Sequence, residues 1–287
     1  MKVQTFSITV GTEACNARCP FCISKQTTGI PKCNKININS FRRACRLAQL
    51  GGSTTVLLTG KGEPMLYSEE IETYLKELKP YDFPRVEIQT NGIKLWDDYQ
   101  KNGNLDYLAR WNDLGLTTIA ISIVHFEPEA NHKIYTPYRK DYIDLFKLTE
   151  VIHQYGLMVR WSVIMLKNHI DSIEDAQAML RCAKENKVEQ LTLRAVMATE
   201  ETRDIEVKKW TNEHKTEHTK EIHEWISKNA TKLMTLSHGA TIYDYEGQNV
   251  CITDCMTLKP EGDEIRTLIF CTDGLTRYDW RYNGAII

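Results

Sequence analysis

Short runs of apolar and β-branched residues alternate with longer amphipathic segments over the first two thirds of the chain. Six of these runs predict strands, at 4–10, 54–60, 85–92, 117–124, 157–165 and 190–197. Most are continuous stretches of Val, Ile, Leu and Thr, which is typical of strands buried on both faces of a parallel sheet. The segments between them have helical periodicity near 40–50, 68–79, 104–113, 141–155 and 171–186.

Six successive β-α units predict an α/β fold with a parallel sheet and right-handed crossovers. We expect an open, partial (β/α)6 barrel, similar to part of a TIM barrel, over residues 1–200. Ligands of such barrels gather at the carboxyl ends of the strands. The loops that follow residues 10, 60, 91, 124, 165 and 197 are therefore where function is expected.

The pattern changes over residues 201–287. A highly charged stretch at 203–235 predicts helix, and the chain from 241 onward is rich in β-forming residues. The sequence KPEGD predicts a hairpin centred on Glu261, and Asp273-Gly274 predicts a second hairpin. We expect this part to form a C-terminal helical and antiparallel β cap on the barrel.

Composition narrows the class of protein. A formal net charge of −2 over 287 residues argues against a general polyanion binder, so we expect no nucleic-acid partner. No run of 18 apolar residues predicts a membrane span. The N-terminal segment has the alternation of a strand and not a signal peptide, so a cytoplasmic location is expected. In that compartment, nine cysteines are metal ligands, catalytic groups or core residues in preference to disulfides.

The loop after the first predicted strand, which follows residue 10, carries three cysteines, Cys15, Cys19 and Cys22, with C-x3-C-x2-C spacing. Three thiolates do not complete a tetrahedral zinc site without a fourth ligand. They can hold three irons of a four-iron cube and leave the fourth iron open to another ligand. The alternatives are a zinc site with a distant fourth ligand, such as Cys33 or a histidine, or simply buried thiols.

This cysteine segment and four others at predicted strand ends together resemble the radical S-adenosylmethionine (SAM) enzymes. The segments are Cys15–Cys22 (CNARCPFC), Thr59–Pro64 (TGKGEP), Gln89–Gly92 (QTNG), Ile121–Ile123 (ISI) and Arg160–Ser162 (RWS). The resemblance covers about residues 1–200, and the C-terminal part has a weaker resemblance to the MoaA-like branch. Two positions depart from the family pattern: Lys61 separates two glycines that are usually adjacent, and Val124 replaces an aspartate.

The resemblance implies a [4Fe–4S] cluster on the three cysteines, with SAM on its open iron. It implies that the reduced cluster cleaves SAM to a 5′-deoxyadenosyl radical, which abstracts hydrogen from a substrate, with an electron donor such as flavodoxin or ferredoxin. The implied cofactor-binding residues are Phe21, Gly60, Lys61, Gly62, Glu63, Thr90, Asn91, Ser122, Arg160 and Ser162. Judged one at a time, these positions are also consistent with a plain turn, ordinary strand-end polar groups or a solvated arginine at the barrel rim.

The tail carries three further cysteines, Cys251, Cys255 and Cys271. They are candidates for a second iron–sulfur cluster, or they are structural thiols. If the chain turns at Glu261, Cys251 faces Cys271 across the hairpin and Cys255 lies about 13 Å further along the strand. That distance is too great for one cluster, so the predicted hairpin favours structural thiols.

The substrate is suggested only by charge. No Asp or Glu occurs between Ala14 and Gly62, whereas the stretch contains eight Lys and Arg residues. This favours a small anionic substrate, nucleotide-like or phosphorylated, although a solvated basic helix face has the same pattern. The aromatic residues of the tail can stack on a ligand or form the core of the cap: Tyr243, Tyr245, Tyr278, Trp280 and Tyr282. The alternatives are a peptide-modifying radical SAM enzyme and a non-catalytic metal-binding protein.

Overall fold

A computed structural model describes residues 2–27, 29–30, 35–200, 202–236, 239–254 and 264–287. The strands are β1 (Lys2–Thr9), β2 (Thr55–Thr59), β3 (Arg85–Thr90), β4 (Thr118–Ile123), β5 (Met158–Met165), β6 (Gln190–Ala195), β7 (Thr231–Thr235), β8 (Thr241–Tyr245), β9 (Gln248–Asp254), β10 (Glu264–Phe270) and β11 (Thr276–Arg277). The helices are α1 (Ile23–Gln26), α2 (Ile38–Leu50), α3 (Ser68–Leu78), α4 (Ile93–Asn102), α5 (Tyr107–Asp113), α6 (Pro128–Tyr135), α7 (Leu145–Gln154), α8 (Ile173–Glu185), α9 (Ile205–His214) and α10 (Thr219–Asn229).

The strands form one open sheet in the order β11-β10-β1-β2-β3-β4-β5-β6-β9-β8-β7. Every neighbouring pair from β10 through β1–β6 to β9 is parallel, whereas the pairs β10–β11, β9–β8 and β8–β7 are antiparallel. The α/β fold with an open, barrel-like parallel sheet is confirmed, as are all six predicted strands.

The helices begin and end where the sequence provides the chemistry for it. Ser172 caps α8 by accepting a hydrogen bond from the Asp175 N–H at 3.1 Å. Gly115 and Gly156 follow α5 and α7 with φ of +100° and +71°, a left-handed conformation that glycine adopts at low cost. Three of the described helices, α1, α4 and α6, lie outside the predicted helical segments.

The predicted hairpin at Glu261 is wrong. β9 pairs with β6, whereas β10 pairs with β1, so the two strands extend opposite edges of the parallel sheet. Burial explains the preference, because Leu268 and Phe270 alternate along β10 and both are fully buried, with Phe270 against Phe41 of α2. Pairing with β1 also covers an edge that would otherwise expose unpaired backbone groups. The KPEGD segment itself lies outside the described residues.

The structure of the rest of the C-terminal tail agrees only in part with the elements predicted from the sequence. Asp273-Gly274 does form a hairpin, because β10 and β11 are antiparallel and Gly274 has φ of +82°. The helical stretch predicted for 203–235 ends at Asn229, and 231–235 forms the exposed edge strand β7. Residues 1–200 and 201–287 contribute strands to the same sheet. No helix within the described ranges is long and apolar enough to span a bilayer.

One face of the sheet packs apolar side chains against the helices, and the other face is polar. Buried polar residues on β1, β3, β5 and β6 include Ser7, Glu87, Arg160, Ser162 and Thr192. Successive side chains of a strand point to opposite faces, so these polar residues alternate with the apolar core residues. The barrel interior is therefore a polar environment beneath the loops at the carboxyl ends of the strands.

Candidate functional site

The cysteine loop, residues 11–22, begins at the carboxyl end of β1. Gly11 turns the chain with φ of +73°, and a Cβ there would collide with the ring of Tyr67. The Gly11 N–H donates to Glu70 Oε2 at 2.9 Å. Further along, the Cys22 N–H donates to the Cys19 carbonyl at 3.2 Å, and α1 begins directly after Cys22. These turns hold the three cysteines in one short loop.

The Gly-x-Gly segment after β2 packs backbone against backbone on the cysteine loop. A Cβ on Gly62 would collide with the carbonyl oxygen of Ala14, and one on Gly60 would lie 2.9 Å from the Val10 carbonyl oxygen. The Glu63 N–H donates to that same Ala14 carbonyl at 3.0 Å. The two glycines are required by this close approach, whatever residue stands between them.

Replacing Gly62 with alanine is therefore expected to displace the cysteine loop. We expect Gly62→Ala to lose about 1–3 kcal/mol of stability, as overpacking does, and to bind less than half of the wild-type iron after anaerobic reconstitution. The matched control is Gly284→Ala, because a Cβ at Gly284 meets no atom within 4 Å. A Gly62→Ala protein with wild-type Tm and full iron content would contradict this account of the loop.

Glu63 is a buried hub beneath the cysteine loop. Its carboxylate accepts hydrogen bonds from Thr90 Oγ1 at 2.6 Å, the Asn91 N–H at 2.9 Å and the Met65 N–H at 2.9 Å. Burial raises the pKa of Glu63, and these three hydrogen bonds oppose that rise. Asn91 then reaches the cysteine loop, with Nδ2 lying 3.8 Å from Cys15 Sγ. Glu63, Thr90 and Asn91 thus fix the ends of β2 and β3 relative to the first cysteine.

The opposite side of the loop rests on α6 and α9. The Arg18 N–H donates to the Tyr135 carbonyl at 2.8 Å, and the Arg18 guanidinium lies 4.7 Å from the ring centre of Tyr138. Phe21 packs edge-on against Tyr135, with ring centres 6.1 Å apart, and lies 6.0 Å from Trp210. Phe21 therefore belongs to an apolar cluster that supports the cysteine loop.

The chemistry of the loop fits an iron–sulfur cube. Loss of hydration, followed by repulsion from Cys22 and Cys15, raises the pKa of the Cys19 thiol, so three thiolates here require a compensating positive charge. In the described part of the chain, no three His, Cys, Asp or Glu side chains converge on a single metal ion. A cube holds its ligand sulfurs farther apart than one zinc ion does. Cys33, the alternative zinc ligand, lies outside the described residues.

A buried hydroxyl next to the loop also lacks a partner. Tyr142 Oη is buried without a hydrogen-bond partner in the described structure. Its ring packs 6.1 Å from Tyr135, and Tyr142 and Cys19 both pack against the same apolar cluster. Buried hydroxyls are nearly always satisfied, so this one is consistent with a group that binds beside Cys19.

The predicted SAM contacts on β4 and β5 lie at different depths. Ser122 of β4 pairs in register with Ser162 of β5, which pairs with Thr192 of β6, so three hydroxyl residues form a row across the sheet. Arg160 lies five residues before the end of β5 and is buried. Its guanidinium donates through Nε to Glu87 Oε2 at 3.0 Å and through Nη2 to Glu87 Oε1. Arg160 is therefore committed to a buried ion pair with Glu87.

Lys61 lies at the mouth of the barrel. Its ammonium donates to Thr27 Oγ1 at 2.6 Å and lies 5.7 Å from the ring centre of Trp280. Arg203, which precedes α9, donates through Nη1 to the Thr27 carbonyl at 3.2 Å. Burial lowers the pKa of Lys61, although Cys271 and Glu13 oppose that effect. Sequence reasoning missed Arg203, because nothing in its local sequence links it to a loop more than 170 residues earlier.

The tail cysteines are not arranged as predicted. Cys251 lies on β9 and Cys271 follows β10, and six strands separate β9 from β10 in the sheet. The two residues therefore do not face each other across a hairpin. Both are buried, and burial raises the pKa of each thiol. Cys255 lies outside the described residues, and a second cluster has no support from the described ones.

The basic stretch divides into two groups. Arg42, Arg43 and Arg46 lie on the exposed face of α2, where Arg42 pairs with Glu77 at 2.7 Å. These arginines match the alternative of a solvated helix face. Arg18 instead lies within the cysteine loop, and Lys61 contacts Thr27, shortly after that loop. Only some of the basic residues between Ala14 and Gly62 therefore lie at the candidate site.

Several solved structures have a fold similar to that of this chain. The structure of Streptococcus suis SuiB bound to S-adenosylmethionine matches with a TM-score of 0.60 and 15% identity, covering 99% of this chain and 61% of SuiB. The anSMEcpe protein with bound AdoMet matches with a TM-score of 0.52 and 14% identity, covering 79% of this chain and 61% of that one. Methylornithine synthase (PylB) matches with a TM-score of 0.50 and 14% identity, covering 70% and 56%. The chain spans about three fifths of the length of these proteins, and at such identities the likeness is one of fold.

The family model described as the radical SAM superfamily matches residues 9–183, which include the cysteine loop and the ends of β2 to β5. Membership implies SAM and a [4Fe–4S] cluster as cofactors. The weaker resemblance to the MoaA-like branch stays a prediction. With the C-x3-C-x2-C loop braced by the glycine-rich segment and the TNG turn, this match shows that the chain is an enzyme of the radical SAM superfamily.

Proposed function

We propose that Cys15, Cys19 and Cys22 bind a [4Fe–4S] cluster and that the enzyme cleaves SAM reductively to abstract hydrogen from a small anionic substrate. When bound, the cluster and SAM supply the 5′-deoxyadenosyl radical chemistry, and the protein supplies binding, orientation and shielding. The observation that carries the proposal is the backbone packing of the glycine-rich segment on the cysteine loop. That packing joins two elements that the family uses for its two cofactors.

The residues of this chain have separate tasks in the proposal. Gly60, Lys61 and Gly62 offer backbone groups to SAM beside the cysteines, and Ser122 and Ser162 offer hydroxyls to its ribose. Glu63, Thr90 and Asn91 act by positioning Cys15, since their polar groups already bond one another and the loop. Phe21 supports the loop with an apolar wall. Arg160 is left out of the cofactor contacts because Glu87 occupies its guanidinium.

The substrate class rests on charge. Lys61 and Arg203 meet at Thr27, next to the turn that follows Cys22, and favour a substrate with a phosphate or carboxylate group. A peptide is the second candidate, because SuiB has been solved bound to its precursor peptide, SuiA, with a TM-score of 0.58 to this chain. We further propose a cytoplasmic enzyme that receives electrons from a flavodoxin or ferredoxin.

The test is SAM cleavage by the anaerobically reconstituted protein. With dithionite as reductant, we expect 5′-deoxyadenosine to form slowly without substrate. We expect its rate to rise when a panel of phosphorylated metabolites is added and to stay at the basal level with a panel of peptides. Omitting dithionite is the control. Zinc in place of iron, or no 5′-deoxyadenosine with any reductant, would refute the proposed function; stimulation by peptides alone would establish the second candidate.

A further inference from the structure

Two cations from separate segments donate hydrogen bonds to Thr27, shortly after the cysteine loop, and an aromatic ring lies next to one of them. Lys61 arrives from the end of β2, Arg203 from the segment before α9, and the Trp280 indole from the tail beyond β11. Thr27 is buried, Lys61 and Trp280 are half-buried, and Arg203 is exposed. The group therefore faces solvent on one side and the cysteine loop on the other.

Among the residues that the structure describes, neither of the two cations forms an ion pair with a carboxylate. Within the described ranges, neither Lys61 nor Arg203 has an Asp or Glu oxygen inside 4.0 Å, since their hydrogen bonds go to the two oxygens of Thr27. Glu13 acts on Lys61 only over a longer distance. Arg42, an exposed cation on α2, differs from them because its Nε lies 2.7 Å from Glu77 Oε2. Glu13 is the acidic side chain that lies nearest to this group among the described residues, close to both Lys61 and the Arg203 guanidinium without an ion pair to either.

A second observation also indicates a missing acceptor. Gln26, next to Thr27, has only 1% of its surface exposed. Its Oε1 accepts from the Thr199 N–H at 2.9 Å, but its Nε2 has no hydrogen-bond partner in the described structure. A buried amide donor without a partner costs about 1–3 kcal/mol, so such groups are rare and mark places where a water, ion or ligand binds.

We propose that Lys61, Arg203 and the Gln26 amide bind the anionic group of the substrate and that Trp280 stacks on the ring or chain next to it. The ligand class is a phosphate or carboxylate attached to a flat group. This rests on the proposed function, because it places the anion of that substrate at the edge of the cofactor site. It gives Lys61, the residue that departs from the family's paired glycines, a role in substrate recognition.

The experiment measures anion binding to the reconstituted, SAM-loaded enzyme at constant ionic strength. The probes are inorganic phosphate and phenyl phosphate, titrated by calorimetry. We expect Lys61→Met and Arg203→Met each to raise the Kd of both probes about tenfold, as for the loss of one charged hydrogen bond. Lys25→Met is the matched control, because Lys25 is an exposed cation on α1, and it should change the Kd less than twofold. Trp280→Leu should abolish the preference for phenyl phosphate over phosphate.

Several results would overturn the inference. The first is that neither probe binds to the wild-type enzyme. The second is that Lys25→Met weakens binding as much as Lys61→Met does. The third is that Lys61→Met lowers the Tm and leaves both Kd values unchanged. The last result would mean that Lys61 only ties the tail to Thr27. A further contrary result is that Lys61→Met and Arg203→Met weaken SAM, measured by equilibrium dialysis, and leave phosphate unchanged; the anion would then be the SAM carboxylate. Failure of SAM cleavage in the wild type with phosphate binding intact would refute the proposed function alone.

Discussion

Cys19→Ala is expected to leave the reconstituted protein with almost no iron and no measurable SAM cleavage. A cube held by three protein thiolates loses one of its protein ligands when one thiol is removed. Cys19 and Cys22 are both half-buried, and Cys19 packs against the apolar cluster under the loop. The measurements are iron and acid-labile sulfide per chain, the visible absorption spectrum, and 5′-deoxyadenosine formed under dithionite.

Cys182→Ala is the matched control for this prediction. Cys182 lies half-buried on α8, and burial raises the pKa of its thiol to about 11. Its Sγ lies 3.8 Å from the Asn186 amide nitrogen, and the side chain packs against the hydrophobic core. We expect Cys182→Ala to keep about four irons per chain, the content of one cube. Four irons in Cys19→Ala, or their loss in Cys182→Ala, would contradict the assignment of the ligands.

The same iron count decides whether the tail binds a cluster. About four irons in the wild type and none in Cys19→Ala means a single cube on the N-terminal loop. About eight in the wild type and four in Cys19→Ala means a second cluster. We expect the first result, since Cys251 and Cys271 lie on strands separated by six others.

The parallel core was predictable from sequence because its signal is local. Each of the six strands is a short β-branched run, and each strand-end motif follows directly in the chain. Glycines that a close approach of two backbone segments requires are also visible in the local sequence, so Gly60 and Gly62 could be predicted. The cysteine loop could be predicted for the same reason, because Cys15, Cys19 and Cys22 lie within eight residues.

The tail was not predictable in the same way because its partners are distant in sequence. β10 satisfies its backbone groups with β1, more than 260 residues earlier, and nothing in KPEGD distinguishes that from a local hairpin. Arg160 shows the same limit. It reaches Glu87 across β4, where Ala120, its neighbour in register, has a side chain short enough to let it pass. Sequence alone showed an arginine near a strand end, and only the fold shows what it pairs with.

Glu87→Gln is expected to cost about 3–5 kcal/mol of stability, because removing one member of a buried ion pair leaves the other charge uncompensated. The side chains of Arg160 and Glu87 are only 8% and 2% exposed. Arg85 Nη2 also donates to Glu87 Oε2, at 3.0 Å, and the Gln89 amide donates to Oε1 at 3.2 Å. Glutamine keeps the shape of Glu87 but brings N–H groups toward the guanidinium. The free energy of unfolding in urea measures the loss.

Glu77→Gln provides the control, because its partner Arg42 lies on the surface of α2. Exposed ion pairs contribute roughly 0–1 kcal/mol to stability, so the free energy of unfolding of Glu77→Gln should remain close to that of the wild type. The double variant Glu87→Gln/Arg160→Gln should lose less than the sum of the two single losses, since neither charge is then left alone. Additive losses would mean that Glu87 and Arg160 stabilise the barrel independently.

Acid should reduce the difference between the wild type and Glu87→Gln. Burial alone would raise the pKa of Glu87, but Arg160 and Arg85 outweigh it and hold the pKa below its ordinary value. A carboxyl whose pKa is lower in the folded than in the unfolded state binds fewer protons when folded. Its stabilising contribution is therefore complete above its unfolded pKa, about 4.3, and is lost as the pH falls through the folded value. We expect a constant stability difference between pH 6 and 8, narrowing below about pH 4. A difference that instead grew in acid would mean that Glu87 is protonated in the folded barrel and that its bond to Arg160 is not an ion pair.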